Sequence, residues 1–197
     1  MPQDLSASQS QLASAMTADA AERAARVRIA VFDVDGVLTD GRLVFDASGE
    51  TLKVFDVRDG HGIRLLQQAG IRCALLSGRR SDAVAARARE LGIVHALQGI
   101  GDKRAALDGL LATVGLGESQ CAFVGDDWPD LPVLGRVGFA ASVADADQAV
   151  RGSVHWVSAA SGGRGAVRQF AEFVLRSQGR YEAMLAAARA GTGSGHA

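Results

Sequence analysis

The sequence predicts an α/β fold: a doubly wound, mostly parallel, Rossmann-like sheet with a β-hairpin flap after its first strand. Three observations carry this. Short apolar runs recur along the chain without polar alternation, as in strands buried on both faces. Between them lie longer stretches whose apolar residues return with helical spacing. The breaks are short, and such alternation means parallel strands joined by helices that cover both faces of the sheet.

The elements follow in chain order. The opening "MPQDLSASQSQLAS" is small and polar and is expected to be mobile, and alanine, glutamate and arginine at about 15–27 support a lead-in helix. Residues 1–28 are thus a lead-in to a domain at 29–178. Strands are expected at Ile29–Phe32, Ile71–Leu76, Val94–Leu97, Cys121–Val124, Val137–Ala140 and Val154–Val157. Leu107, Leu110, Leu111 and Val114 define one helix face; Val167, Phe170, Ala171 and Val174 define another. Gly70, Gly92 and Gly115 stand where helices should stop. "RLVFDASGETLKVF", Arg42 to Phe55, carries two short strand patterns around Ala-Ser-Gly-Glu and reads as the hairpin. The tail, 179–197, is alanine-rich and helical at first, and its end from Gly191 is expected to be disordered.

A chain of 197 residues, 48% hydrophobic and 22% charged, is a single soluble globular domain on length and composition. Its formal net charge of −1 leaves no basic surplus for nucleic acid and no polybasic segment for an anionic membrane. Residues 1–28 have no apolar core of signal-peptide type, and no apolar segment is long enough to span a bilayer. Cys73 and Cys121 sit inside apolar runs like small core residues. A cytoplasmic, reduced protein is expected.

The chemistry begins at "IAVFDVDGVLTDG", where a buried strand runs into Asp33 and then Asp35. A lone buried carboxylate is costly, so Asp33 needs a metal or a cation; a turn in which both aspartates cap backbone amides is the plainer alternative. Ligands of open α/β sheets bind outside the carboxyl ends of the strands. Ser77 ends the second predicted strand, Lys103 follows the third, and Asp126-Asp127 follow the fourth in "GDDWPD". Each has a structural reading, as a turn residue, a solvated lysine or a helix cap. Together they make one site suited to phosphoryl transfer. Mg²⁺ needs only a few carboxylates, which Asp33 and Asp126 can supply. Lys103 and Ser77 can hold phosphoryl oxygens, Asp33 can serve as nucleophile, and Asp35 can move protons.

"DVDGVLTDG", "SGR", Lys103 and "GDDWPD" resemble, in order, the four motifs of the haloacid dehalogenase superfamily, and specifically its phosphatases. That resemblance implies that the Asp35 backbone carbonyl also ligates Mg²⁺. Asp35 itself argues against the dehalogenase and ATPase branches. Many members carry a cap domain before the second motif or between the second and third. Here the first gap holds only the hairpin and one helix, and the second one helix and one strand, so no cap domain is expected.

"GVLTDGRLVFDASGETLKVFDVRDGHGIRLLQQAGI", "SGRRSDAVAARARELGI" and "GGRGAVRQF" are similar to the 3-deoxy-D-manno-octulosonate 8-phosphate phosphatase family, tetramers in lipopolysaccharide sugar synthesis. The resemblance implies a homotetramer and a small phosphorylated sugar acid as substrate. Asp56, Val57, Arg58, Asp59, Gly60, Arg64, Arg79, Arg87 and Lys103 are the substrate-binding candidates it implies. Arg87 shares a face with Val84, Ala88 and Leu91, so it either lays its stem along apolar surface or reaches substrate. His61 stands where an aromatic is expected, and Arg164 is either a loop residue or one that reaches a site. A phosphatase of a nine-carbon keto-deoxy sugar acid shares the catalytic residues and is the nearest alternative. A non-catalytic oligomerisation module is disfavoured by the intact Asp33, Asp35, Lys103 and Asp126. A phospho-receiver domain is disfavoured because the candidate acceptor lies on the first strand.

Overall fold

The computed structural model describes residues 18–47 and 49–192. The expected mobility of the opening residues and the expected disorder of 193–197 lie outside the described residues.

Six parallel strands form one sheet: β1 (Ile29–Phe32), β4 (Arg72–Ser77), β5 (His95–Gln98), β6 (Cys121–Val124), β7 (Phe139–Ser142) and β8 (Trp156–Val157), ordered β5-β4-β1-β6-β7-β8. β1 is buried throughout, which is why its sequence shows no alternation. The chain steps from β1 outward to β5, then returns to the other side of β1 at β6. That reversal is a topological switch point, so the carboxyl ends of β1 and β6 open a crevice. Right-handed crossovers put α2 (Val57–Gln68) and α3 (Asp82–Glu90) on one face. They put α4 (Lys103–Val114), α5 (Leu131–Leu134) and α6 (Gln148–Arg151) on the other.

The helix at 18–25 (α1) is part of the same body, because Ala20, Ala24 and Val27 are in the core. Gln178 Nε2 donates to the carbonyls of Ala24 and Val27, tying α1 to the end of α7 (Ala166–Ser177). α7 seats on the sheet through aromatic contacts. Phe170 meets Phe32 edge-on at 5.6 Å and stacks on Phe139 at 5.8 Å. Truncating such a buried aromatic costs about 3–5 kcal/mol. α8 (Tyr181–Arg189) follows, with Tyr181 and Met184 against the core.

Four strands begin one or two residues later than the apolar pattern suggests, and for two of them the reason is the helix before. After Gly70 and Gly92, both at positive φ, the next apolar residue closes the helix instead of opening the strand. Ile71 N donates to Leu66 O at 2.9 Å, and Ile93 N to Ala88 O at 2.9 Å. Val94, expected in a strand, is 86% exposed.

The hairpin, β2 (Val44–Asp46) and β3 (Gly49–Leu52), is a separate antiparallel sheet. Phe45 (60% exposed), Leu52 (61%) and Val54 (74%) face solvent in the single chain. Among the described residues, no helix is long and apolar enough to cross a membrane.

Candidate active site

β1 delivers Asp33 to the switch point, and its backbone continues the ladder by donating from Asp33 N to Val124 O at 3.0 Å. The chain then turns through 34–39, where Leu38 N donates to Val34 O at 2.9 Å, and Val34, Val37 and Leu38 anchor the turn in the core. Gly36 sits at φ 82°, and a Cβ there would collide with the Asp126 carboxylate. Glycine lets the loop carrying Asp35 close against the loop after β6. Ser77, 2% exposed, ends β4. Lys103 opens α4, whose N-cap Asp102 accepts from Arg104 N and Ala105 N. Asp33, Asp35, Ser77, Arg79, Lys103 and Asp126 all line one cavity of about 440 Å³.

The centre of this cavity is an ionic cluster. Lys103 Nζ lies 3.1 Å from Asp33 Oδ2 and 2.6 Å from Asp130 Oδ1. Asp130, 1% exposed, uses its other oxygen to accept from Asp126 N at 3.0 Å. Burial, and then Asp130, push Asp33 up to about 6 against the pull of Lys103. Burial, followed by Asp33, Asp130 and Asp127, pushes Asp126 up to about 8. Burial opposes the charge on Lys103, but the Asp33 and Asp130 carboxylates outweigh it and raise its pKa.

These residues fit a divalent cation. Oxygens of Asp33, Asp126 and Asp130 lie within 4.8 Å of one another, against one ammonium. Asp126 Oδ1 is buried without a hydrogen-bond partner among the described residues, and a hard cation satisfies such an oxygen. Asp130 is not open to a metal in the same way, because Lys103 and the Asp126 amide occupy its oxygens. Asp33 and Asp126 are the open carboxylates.

Two further contacts fix the loop carrying Asp35. Lys53, just beyond β3, forms an ion pair with Asp35 Oδ1. On the other side the "SGGRG" loop before α7 packs on 36–40. Gly163 N donates to Val37 O at 2.9 Å, and a Cβ on Gly162 or Gly163 would strike the backbone of Gly36 or Thr39. Arg164 pairs with Asp40 at 3.5 Å and offers its carbonyl to Arg58, so within one chain it braces this loop.

The remaining substrate-binding candidates do not line this cavity. Asp56 caps α2 by accepting from Arg58 N at 2.7 Å and also holds the Arg58 guanidinium. Asp59 is 1% exposed and its oxygens accept from Gly165 N (3.1 Å) and Arg168 N (2.8 Å), bracketing α2 to the start of α7. Val57, Gly60, Arg64 and Arg87 surround a separate depression of about 170 Å³. Arg87 lies over the Phe55 ring and pairs with Glu90 at 2.8 Å, while Arg64 donates to Glu90 O at 3.2 Å. α2 packs on α7 through the Asp59 bracket, which commits the first turn of α2 to the fold, while Arg87 lies on α3.

Two residues at the site escape the sequence reading. Asp130 is four residues after Asp126, and one helical turn returns its carboxylate beneath the Asp126 amide; that spacing was the available signal. Lys53 is 18 residues from Asp35 on an exposed hairpin, and no local pattern marks it.

No family model matches the chain. A relative from Yersinia pestis, 3-deoxy-D-manno-octulosonate 8-phosphate phosphatase KdsC, is 43% identical over 164 residues, covering 83% of this chain and 88% of the relative. The crystal structure of a Moraxella catarrhalis phosphatase of the same name, in complex with magnesium ion, phosphate ion and a KDO molecule, superposes with a TM-score of 0.82 at 40% identity, covering 85% of this chain and 96% of that one. A haloacid dehalogenase superfamily (subfamily III A) hydrolase from Legionella pneumophila gives 0.86 at 36% identity, covering 91% and 99%. With this similarity over most of its length, the chain belongs to the 3-deoxy-D-manno-octulosonate 8-phosphate phosphatase family of the haloacid dehalogenase superfamily.

Proposed function

We propose that this chain is a Mg²⁺-dependent phosphoric monoester hydrolase that converts 3-deoxy-D-manno-octulosonate 8-phosphate to 3-deoxy-D-manno-octulosonate and phosphate. The observation that carries the reading is the Asp33 carboxylate, held 3.1 Å from Lys103 beside the unpartnered oxygen of Asp126. A relative 40% identical has been solved with magnesium, phosphate and KDO.

Held by Asp33, Asp126 and the Asp35 backbone carbonyl, Mg²⁺ supplies the positive charge that lets a carboxylate approach a phosphate ester. Lys103 and Ser77 hold phosphoryl oxygens as charge spreads over them. An Asp33 oxygen attacks phosphorus, the bond to the sugar oxygen breaks, and protonated Asp35 gives that oxygen its proton. The Asp35 carboxylate then takes a proton from water, the hydroxide attacks the aspartyl-phosphate, and Asp33 is released with phosphate. Arg79, which lines the cavity beside Lys103, reads an anionic group of the sugar acid.

The assembly in this reading is a homotetramer. Phe45, Leu52 and Val54 are exposed apolar side chains on and just beyond a hairpin that is marginal alone, and pairing with other subunits covers both hairpin and cavity. The buried free thiols Cys73 and Cys121 support a reducing, cytoplasmic setting, where the product enters lipopolysaccharide synthesis. The test is phosphate release from a panel of sugar phosphates, eight- and nine-carbon acids included, with and without Mg²⁺. Preference for the eight-carbon acid with Mg²⁺ supports the reading; turnover in EDTA or preference for the nine-carbon acid overturns it.

A further inference from the structure

Lys53 stands apart from the other hairpin residues. Its neighbours Leu52 and Val54 are 61% and 74% exposed, yet the Lys53 side chain is 1% exposed. Its ammonium reaches back under the hairpin to pair with Asp35 Oδ1, on a side chain that lines the acidic cavity. A buried ammonium is costly unless it is paired, and Asp35 is a partner that ties the hairpin foot to the site. Among the described residues the hairpin has no strand pairing with the main sheet, and Lys53 gives it a side-chain tether to the site.

We propose that Lys53 is a positioning residue for phosphoryl transfer: it grips one oxygen of Asp35 and so presents the other to the leaving group. The inference rests on the reading of Asp35 as proton donor to the departing alcohol. The ammonium holds one carboxyl oxygen as an ion pair while Asp35 is a carboxylate and as a hydrogen bond while the other oxygen carries the proton, so in both states it removes the rotation that would carry that other oxygen away from the reacting one. Lys53 itself stays out of contact with substrate, since its side chain is enclosed.

The leaving group provides the test. An alkoxide must be protonated as it departs, whereas p-nitrophenolate leaves without help. The ratio kcat/KM reports steps up to that departure and is blind to later hydrolysis of the aspartyl-phosphate. With Mg²⁺ present, Lys53→Met, Lys53→Arg and Asp35→Asn are compared on a simple alkyl phosphate and on p-nitrophenyl phosphate, neither carrying a sugar acid. Lys53→Met should lose about tenfold or more on the alkyl ester and no more than about threefold on the aryl ester. Lys53→Arg should restore most of the alkyl rate. An even loss on both esters, or no loss on either, overturns the positioning role and leaves Lys53 as an anchor of the hairpin. If Asp35→Asn itself shows no preference for the aryl ester, both the donor role of Asp35 and the positioning that depends on it fall. A selective loss in Asp35→Asn with an even loss in Lys53→Met removes the Lys53 role alone.

Discussion

Replacing Asp126 by asparagine should make the metal-free protein more stable above neutral pH while abolishing its response to Mg²⁺. Burial, with Asp33, Asp130 and Asp127 nearby, raises Asp126 from 3.8 to about 8. The folded-state value lies above the unfolded one, so ionisation costs the folded chain more than the unfolded chain. That cost is nil below about pH 4, grows as pH rises, and is complete above about pH 8. A gap of about 4 pH units corresponds to roughly 5 kcal/mol, and relaxation of the loops with entry of water should leave about 2–4 kcal/mol. The isosteric Asp126→Asn removes the charge and hence the cost. Urea unfolding in EDTA, followed by fluorescence of Trp128 and Trp156, measures it across pH 4.5–8.5. Parent and variant should lie within about 1 kcal/mol of each other at the acid end and diverge to about 2–4 kcal/mol at the alkaline end, the variant being the more stable. Mg²⁺ should then stabilise the parent, by RT ln(1 + [Mg²⁺]/Kd), and leave the variant unmoved. A variant less stable than the parent in EDTA at pH 8.5 would refute the reasoning, since Asp126 would then be contributing to the metal-free fold.

Two other perturbations separate structural from functional residues. Asp59→Ala strands the amides of Gly165 and Arg168 and should cost about 2–4 kcal/mol in urea unfolding. Turnover per folded molecule should hardly change if the bracket is its whole role, and a large loss of turnover at unchanged stability would place Asp59 in the substrate site. Phe45→Glu places a charge on the exposed apolar face of the hairpin and should yield smaller particles by light scattering. Activity on the sugar acid phosphate should drop more than activity on p-nitrophenyl phosphate; an active, sugar-selective monomer contradicts the tetramer.

The parts of this molecule that were legible in its sequence are those in which local pattern and global position coincide. β1 and β6 read as apolar runs because both faces are covered, and the acids at their ends stood out as charge where charge is costly. Strand starts shifted where Ile71 and Ile93 serve the preceding helix, a use that the apolar pattern alone does not distinguish from a strand start. Asp59 carries a different lesson. It was a candidate only by resemblance, and no local pattern showed that its oxygens accept from the backbone at the start of α7. Lys53 was illegible for the opposite reason, because its partner lies on another element and nothing local shows whether the hairpin's one lysine turns inward.

The central claim, that Asp33 becomes covalently phosphorylated, is tested most directly by acid-quenching the working enzyme within milliseconds of mixing with substrate and Mg²⁺. Peptide mass spectrometry then locates any added phosphoryl group. The expected result is a single phosphoryl on the peptide containing Asp33, lost on treatment with hydroxylamine, absent from Asp33→Asn and accumulating in Asp35→Asn with the aryl ester. A fully active enzyme whose Asp33→Asn variant still turns over, or a phosphoryl group found on any other residue, would contradict it.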